Sequence, residues 1–397
     1  FNIKPLNHPF LKPVRYPKNR ADKTQVIATY PFYKMEGEEL HEVAVGPVHA
    51  GVIEPGHFRF MCDGEKINHL EIQLGYQHRG VEDMLLQGNI LNKMQLMESV
   101  VGDSTIAYTN AFAEAIEHLS NIQVSRKTMA IRGIALELER IGIHLGDMSA
   151  IANDIAYLLG KEVFAAIRTT VINTSLAICG SRFGRGLIKI GGVNFDMNEE
   201  LRKKVKETLQ NIDVNITTMA EAMFDDSGVL ARLEKTGVVS KQDALDMGLV
   251  GVAAKACDIP IDTRENFPCG IYNYFPIHKL TLETGDVFAR GYLRFLEIKQ
   301  SIKFIINILN NFPEDVEKPH TISITPNQFI VSMTEGWRGE IVHIVLTDDK
   351  GKIMKYKLKD PSFNNWFGLA MAVRSNGISD FPLCNKSFNL SYCGFDL

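Results

Sequence analysis

The sequence predicts an α+β fold, a large central helical bundle flanked by two small antiparallel sheets. Three features carry that expectation. Apolar residues recur at spacings of three and four over about 200 residues in the middle of the chain, the mark of helices with one buried face. Short alternating runs with glycine-containing turns stand on both sides of that stretch, as half-buried hairpins require. Internal repeats and low-complexity segments, which would point to a solenoid or a disordered region, do not occur.

In chain order, residues 1–42 read as an extended N-terminal arm, because Pro5, Pro9, Pro13, Pro17 and Pro31 interrupt every candidate helix. Residues 43–397 read as one domain. It opens on "HFRFMCDGEKINHLEIQL", two strands that turn at Asp63-Gly64. Two amphipathic stretches follow, "VGDSTIAYTNAFAEAIEHLS" and "KTMAIRGIALELERIGIHLGDMSAIANDIAYLL", and the second is long enough to be the central helix of a bundle. "NEELRKKVKETLQNIDVNITTMAEAMF" and "VFARGYLRFLEIKQSIKFIINIL" add helices with polar outer faces. Beyond Pro313, "EIVHIVLTDDKGKIMKYKLK" reads as a hairpin turning at Asp348-Asp349-Lys350-Gly351. "WFGLAMAVRS" reads as a last helix leading into a polar tail.

Composition narrows the function. At 397 residues, 45% hydrophobic, with a formal net charge of -4, the chain has the balance of a globular protein and none of the basic excess that nucleic acid would select. Unbroken apolar runs such as "FIINIL" stop short of the roughly 20 residues of a spanning helix, and the start lacks a secretory apolar core. A cytosolic location with a membrane-bound partner is the expectation. Six cysteines, at 62, 179, 257, 269, 384 and 393, form no CxxC pair, which argues against a disulfide framework and against four-cysteine zinc or cluster spacing. Cys62, Cys179 and Cys257 read as small buried hydrophobes.

Four places set charged residues on apolar backgrounds. "GPVHAGVIEPGHFRF" puts His49, Glu54 and His57 around a Pro-Gly turn, and "GYQHRGVEDML" puts His78, Arg79 and Glu82 across a strand-to-helix boundary. "LELERIGIH" places Glu137, Arg140 and His144 on one helical face, and "TEGWRGE" sets Arg338 beside a glycine after a strand. An interhelical ion-pair network explains such a helical stripe as well as a reaction site does.

Together with "DTRENFPCGIY" and "GDVFARGYLRFLEIKQS", these segments occur in an order that resembles the large subunit of membrane-bound, energy-converting nickel-iron hydrogenases. The quinone-proximal large subunit of respiratory complex I shares the frame, and the likeness spans residues 43–397. The resemblance implies a metal pair held by four thiolates, in one CxxC after the "HRG" segment and another near the chain end; soft thiolates suit such a pair. This sequence departs there. The first motif falls on "VVGDS", which puts Val101 and Ser104 at ligand positions. Counting on from "SDFPL" puts the second on Ser391 and Gly394, with Cys393 one place out of register. Valine and glycine carry no donor atom, and serine is a poor replacement for a thiolate. The expected state is a cavity without metal and a chain without a cofactor of its own.

The resemblance then implies a hydrogenase-related, complex I-like subunit on the cytoplasmic face of a redox-driven, ion-translocating membrane complex. Expected partners are a 4Fe-4S small subunit, a ferredoxin-like cluster subunit, a membrane-embedded connector and antiporter-like subunits. Glu54 matches the hydrogenase glutamate that passes protons to and from the metal, and Glu137, Arg140 and His144 would extend that relay. His78, Arg79, Arg338 and Arg374 would supply positive charge around the cavity, and Asp103 a new carboxylate. Two alternatives stand beside this: a non-catalytic adaptor that clamps the small subunit to the membrane arm, and a quinone-reducing subunit. "VVGDS" offers no tyrosine for a quinone headgroup, although Tyr108 lies one helical turn on. Glu54→Gln in the assembled complex is expected to abolish coupled turnover while leaving assembly intact; full turnover would remove Glu54 from the relay.

Overall fold

The computed structural model describes residues 33–37, 39–49 and 53–397. The arm expected over 1–42 therefore lies mostly outside the described residues. The first sheet runs β1 (Leu40–Val45), β2 (His57–Asp63) and β3 (Lys66–Gln73), antiparallel and in that order. Alternation buries Phe58, Phe60 and Cys62 on one face, where both phenylalanines pack edge-on against Phe381.

The expected bundle forms from helices Thr105–Leu119, Arg126–Asp154, Leu158–Cys179, Glu199–Phe224 and Val287–Asn310. Ser125, Asn198 and Asp286 cap three of them, each accepting a first-turn amide. The long central stretch is two helices rather than one. It stops at Asp154, because Ala156 takes a left-handed conformation and the Tyr157 amide donates back to the Ala152 carbonyl. By length and composition alone, Leu158–Cys179 is apolar enough to cross a membrane, although polar residues break up its apolar runs. It lies along the central helix, Val171 and Ile172 closing on Gly142 and Arg168 on Gly146.

A second sheet, absent from the sequence expectation, is the short hairpin of β4 (Ile188–Lys189) and β5 (Gly192–Val193). Its strands carry no pattern long enough to read. A buried ion pair holds it instead: Arg132 bonds Glu117 and also donates to the carbonyls of Lys189 and Gly192, while the Gly191 amide donates to Glu117. The third sheet, β6 (Phe329–Gly336), β7 (Gly339–Thr347) and β8 (Ile353–Lys359), contains the expected Asp348–Gly351 turn. The β6–β7 connection is only Trp337-Arg338, which aims both side chains inward.

The polar tail is not a tail. After helix Pro361–Ala372 the chain forms helices Phe381–Phe388 and Tyr392–Phe395 and buries Cys384, Ser387, Ser391 and Cys393. Polar residues enter a core when their groups are bonded, and here Arg290 donates to Ser387 and stacks on Phe388.

At the centre of the bundle sits the fully buried carboxylate of Glu137. Glu137 accepts from Arg140 Nε at 3.0 Å, Arg264 Nη1 at 3.1 Å, Tyr272 Oη at 2.6 Å and the Ser301 hydroxyl. Burial alone would raise its pKa, but the two guanidiniums and two hydroxyls hold it down to about 2. Its stabilising contribution is thus fully present above the ordinary glutamate value of 4.5 and is lost as the pH falls towards 2. Glu137→Gln is expected to cost about 3–5 kcal/mol, as breaking a buried pair does, and to flatten the fall in thermal midpoint below pH 4.5. Thermal unfolding between pH 7 and about 2.5 measures both.

Candidate functional site

Two segments far apart in sequence meet here: the loop that leads into helix Thr105–Leu119, and the Ser391–Asp396 turn. Tyr108, on the first turn of the helix, donates its phenol to Asp360 at 2.7 Å, and both groups are buried. Asp360 caps helix Pro361–Ala372 with its other oxygen and lies against Gly394. Burial pushes the Asp360 carboxyl up, against the opposing charge of Arg338.

Asp103 and Arg338 form a bidentate pair at 2.7 and 2.8 Å. The guanidinium also stacks on Trp337, 3.8 Å from the ring centroid, and its Nε donates to the Asn389 carbonyl at 2.6 Å. The Trp337 indole donates to the Asp103 backbone, so the β6–β7 turn and the 101–104 loop are locked together.

Glu54 accepts from the amides of Tyr392 and Cys393 and stands beside the Cys393 thiol. Burial, reinforced by the Glu54 charge, pushes that thiol up to about 12. Arg79 donates to the carbonyls of Ser99 and Val100 and so braces the loop before Val101. His78 meets the Asp396 carbonyl, while the Asp396 carboxylate accepts from the Gly75 and Gln77 amides.

The structure brings Glu54, Asp103 and Arg338 to one site, with Arg79 and His78 bracing its walls. Arg374 is not there. It lies exposed beside His69 on the outer side of β3, because Ser375 turns the chain left-handed and bonds the Ile67 carbonyl. Arg140 and His144 are buried and reach the site indirectly. His144 Nε2 meets Glu297 at 2.8 Å, its ring faces Asp147, and Asn389 bridges Asp147 to Arg338. The hydrogen bonds of Glu54 run instead to the backbone at 392 and 393.

One carboxyl that spacing did not select shares a slot with Asp103. Glu139, two residues beyond Glu137 and on another helical face, accepts from the Ile106 and Ala107 amides at 2.7 and 3.2 Å. It thereby caps the helix whose own N-cap, Ser104, makes no side-chain bond. Burial pushes it up to about 8 against those two amides, and the Asp103 charge adds to the rise. Both acids line a narrow slot of about 30 Å³, room for a single water. The stripe of Glu137, Arg140 and His144 masks Glu139 in the sequence, since its partners are backbone amides.

Residues 162–330 match the family described as the 49 Kd subunit of the respiratory-chain NADH dehydrogenase. Hydrogenase-4 component G of Escherichia coli is 28% identical, the match covering 97% of this chain and 67% of that protein. Membrane-bound hydrogenase subunit alpha of Pyrococcus furiosus is 29% identical, with 88% and 85% covered. The chain is similar to subunits of membrane-bound hydrogenases and of complex I. A solved chain from the structure of the membrane-bound sulfane sulfur reductase, an archaeal respiratory membrane complex, shares the fold of this chain, with a TM-score of 0.84 at 20% identity over 92% of this chain and all of that one.

Against that frame, the four positions that resemblance assigns to thiolates do not fit a nickel-iron pair. Val101 is buried and apolar, and Ser104 lies buried at the start of its helix. The Ser391 hydroxyl already accepts from the Gly394 amide at 2.9 Å. At Gly394 even a Cβ would stand 2.5 Å from the Asp360 carboxyl carbon, so no cysteine side chain has room. Gly394→Ala is expected to cost about 1–3 kcal/mol by overpacking Asp360. Denaturant unfolding of the variant reads this, and wild-type stability would mean that Asp360 does not press on position 394.

Proposed function

We propose that this hydrogenase-related, complex I-like chain is the large subunit of a redox-driven, ion-translocating membrane complex whose nickel-iron site has been lost. The cavity that remains couples electron arrival from iron-sulfur clusters to proton movement. One observation carries the reading. Asp103 and Arg338 form a bidentate pair beside the former ligand positions, and contacts continue from it through Asn389 to Asp147, whose carboxylate lies 4.0 Å from the ring of His144 in the His144–Glu297 pair.

Electron arrival on a neighbouring cluster adds negative charge, and a nearby protonated carboxyl offsets it by passing on the proton it holds and then taking up another. Glu139 holds its proton at pH 7 and yields it above about 8; Glu54 faces the same region beside Cys393. Arg338 fixes Asp103 and keeps positive charge at the site, and burial favours the neutral form of His144. Glu137 suits an anchoring role better than a relay, because its donors keep it ionised.

On this reading the partners are a 4Fe-4S small subunit, a ferredoxin-like cluster subunit, a membrane-embedded connector and antiporter-like subunits, with this chain on the cytoplasmic face. The clusters belong to those partners. Quinone reduction is disfavoured, since the Tyr108 phenol is already committed to the buried Asp360.

Metal analysis of the intact complex is expected to give nickel at background, with iron accounted for by the partners' clusters; nickel near one per chain would overturn the loss of the site. Asp103→Asn and Glu139→Gln are each expected to lower coupled turnover at least about tenfold with assembly intact, the scale of a removed acid-base group. In wild type, proton uptake should fall as the pH rises through about 8, and Glu139→Gln should remove that limb. Undiminished turnover in both variants would favour the adaptor.

A further inference from the structure

A second cavity lies away from the 101–104 loop and the chain's last turn. It occupies about 540 Å³ between helix Thr105–Leu119, the start of the central helix, the 263–274 segment and β6, ample space for a cluster of waters. Two side chains on its wall are more than nine-tenths buried yet keep a polar atom without a protein partner: Asn110 Oδ1 and Arg132 Nε. The charged side chains of Glu114, Arg126 and Asp315 also line it, so a space of this size holds water.

One acid on this wall is poised to exchange protons. Glu114 accepts from Asn110 Nδ2 at 3.1 Å and from the Cys269 thiol. Burial pushes it up to about 7, opposed by Arg132 and reinforced by Glu117. The other charged groups around the cavity are His118 from the same helix, Arg126 from the central helix, Arg264 from the 263–274 segment, Glu335 from β6 and Asp315. The Arg132 guanidinium is committed to Glu117 and to the β4–β5 hairpin, and that of Arg264 to Asp262 and Glu137. Neither forms an ion pair with Glu114.

Glu335 makes the cavity more than a surface dent. Its carboxylate accepts from the Thr263 amide and lies 3.6 Å from Lys255 Nζ. Lys255 donates to Glu297 at 2.8 Å, Glu297 meets His144 at 2.8 Å, and from there the contacts lead through Asp147 and Asn389 to Arg338 and Asp103. The buried charge network thus runs from the candidate site at one end to water at the other.

We propose that this cavity is the proton port of the coupled reaction, with Glu114 exchanging protons with cavity water and the Glu335–Lys255–Glu297–His144 charge network linking it electrostatically to the candidate site. The inference rests on the coupling reading above. Glu114 is a positioning and exchange group for that reaction and does not touch the reacting centre.

The test compares Glu114→Gln, Glu139→Gln and wild type in the purified complex, following proton uptake across pH 6–9 with and without added imidazole, a small proton carrier able to enter the cavity. Glu114→Gln is expected to slow uptake at least tenfold, to lose the inflection near pH 7, and to recover with imidazole, which a merely structural role would not allow. Wild-type uptake and profile in Glu114→Gln beside a slow Glu139→Gln would overturn the port and leave the coupling reading standing. Wild-type behaviour in both variants would overturn the coupling reading itself, and the port with it. If Glu114→Gln does not assemble, Glu114→Asp decides: an inflection displaced from the wild-type position supports the port, and an unchanged profile overturns it.

Discussion

The Glu137 carboxylate is the constraint on which the rest of the bundle depends. A buried charge persists only where donors replace the water it has lost, and here the donors come from three separate parts of the chain. Arg140 belongs to the same helix but also holds the β6–β7 turn, donating to the carbonyls of Glu335 and Gly336. Arg264 and Tyr272 bring in the 262–274 segment, and Ser301 brings in helix Val287–Asn310. A helix, a second helix, a loop and a sheet are therefore registered against one another by a single group. The Asp103–Arg338 pair inherits its position from that registration, because Arg338 stands two residues after Gly336.

Carboxyls across the molecule divide by position. Those in the middle of the network are pinned as anions: burial pulls Glu297 upward, but Lys255, His144 and Arg140 outweigh it, and Arg264 and Lys255 do the same for Asp262. Those at the ends are raised, with Glu139 and Asp360 near the 101–104 loop and Glu114 and Glu335 on the large cavity. Fixed charge in the centre gives rigidity, and protonatable groups at the two ends are where charge can change. The same physics that makes a good anchor makes a poor proton carrier, and this separates Glu137 from Glu139 although only one residue lies between them.

How much of this is legible in the sequence follows from the range of each interaction. Helix periodicity and capping residues act within a turn or two, so the bundle helices stand where their apolar spacing and Ser125, Asn198 and Asp286 put them. Glycine turns at Asp63-Gly64 and Asp348–Gly351 act over four residues and place two hairpins equally well. The break at Ala156 and the β4–β5 hairpin are held by contacts that no local pattern records, the hairpin by an ion pair from two other helices.

For the site, the sequence by itself determined which chemistry is present: a carboxylate at Glu54, charge at Asp103 and Arg338, and no thiol at Val101, Ser104, Ser391 or Gly394. Tertiary structure alone decided how these groups are used. It buried a tail that composition marks as polar, sent Arg374 to the outside, pressed Asp360 into the space a ligand at 394 would need, and set Glu139 on two helix-end amides. The reason is physical: residue identity fixes which charges exist, whereas their pKa values and partners depend on burial and on groups hundreds of residues away, which only the folded chain brings within hydrogen-bond distance.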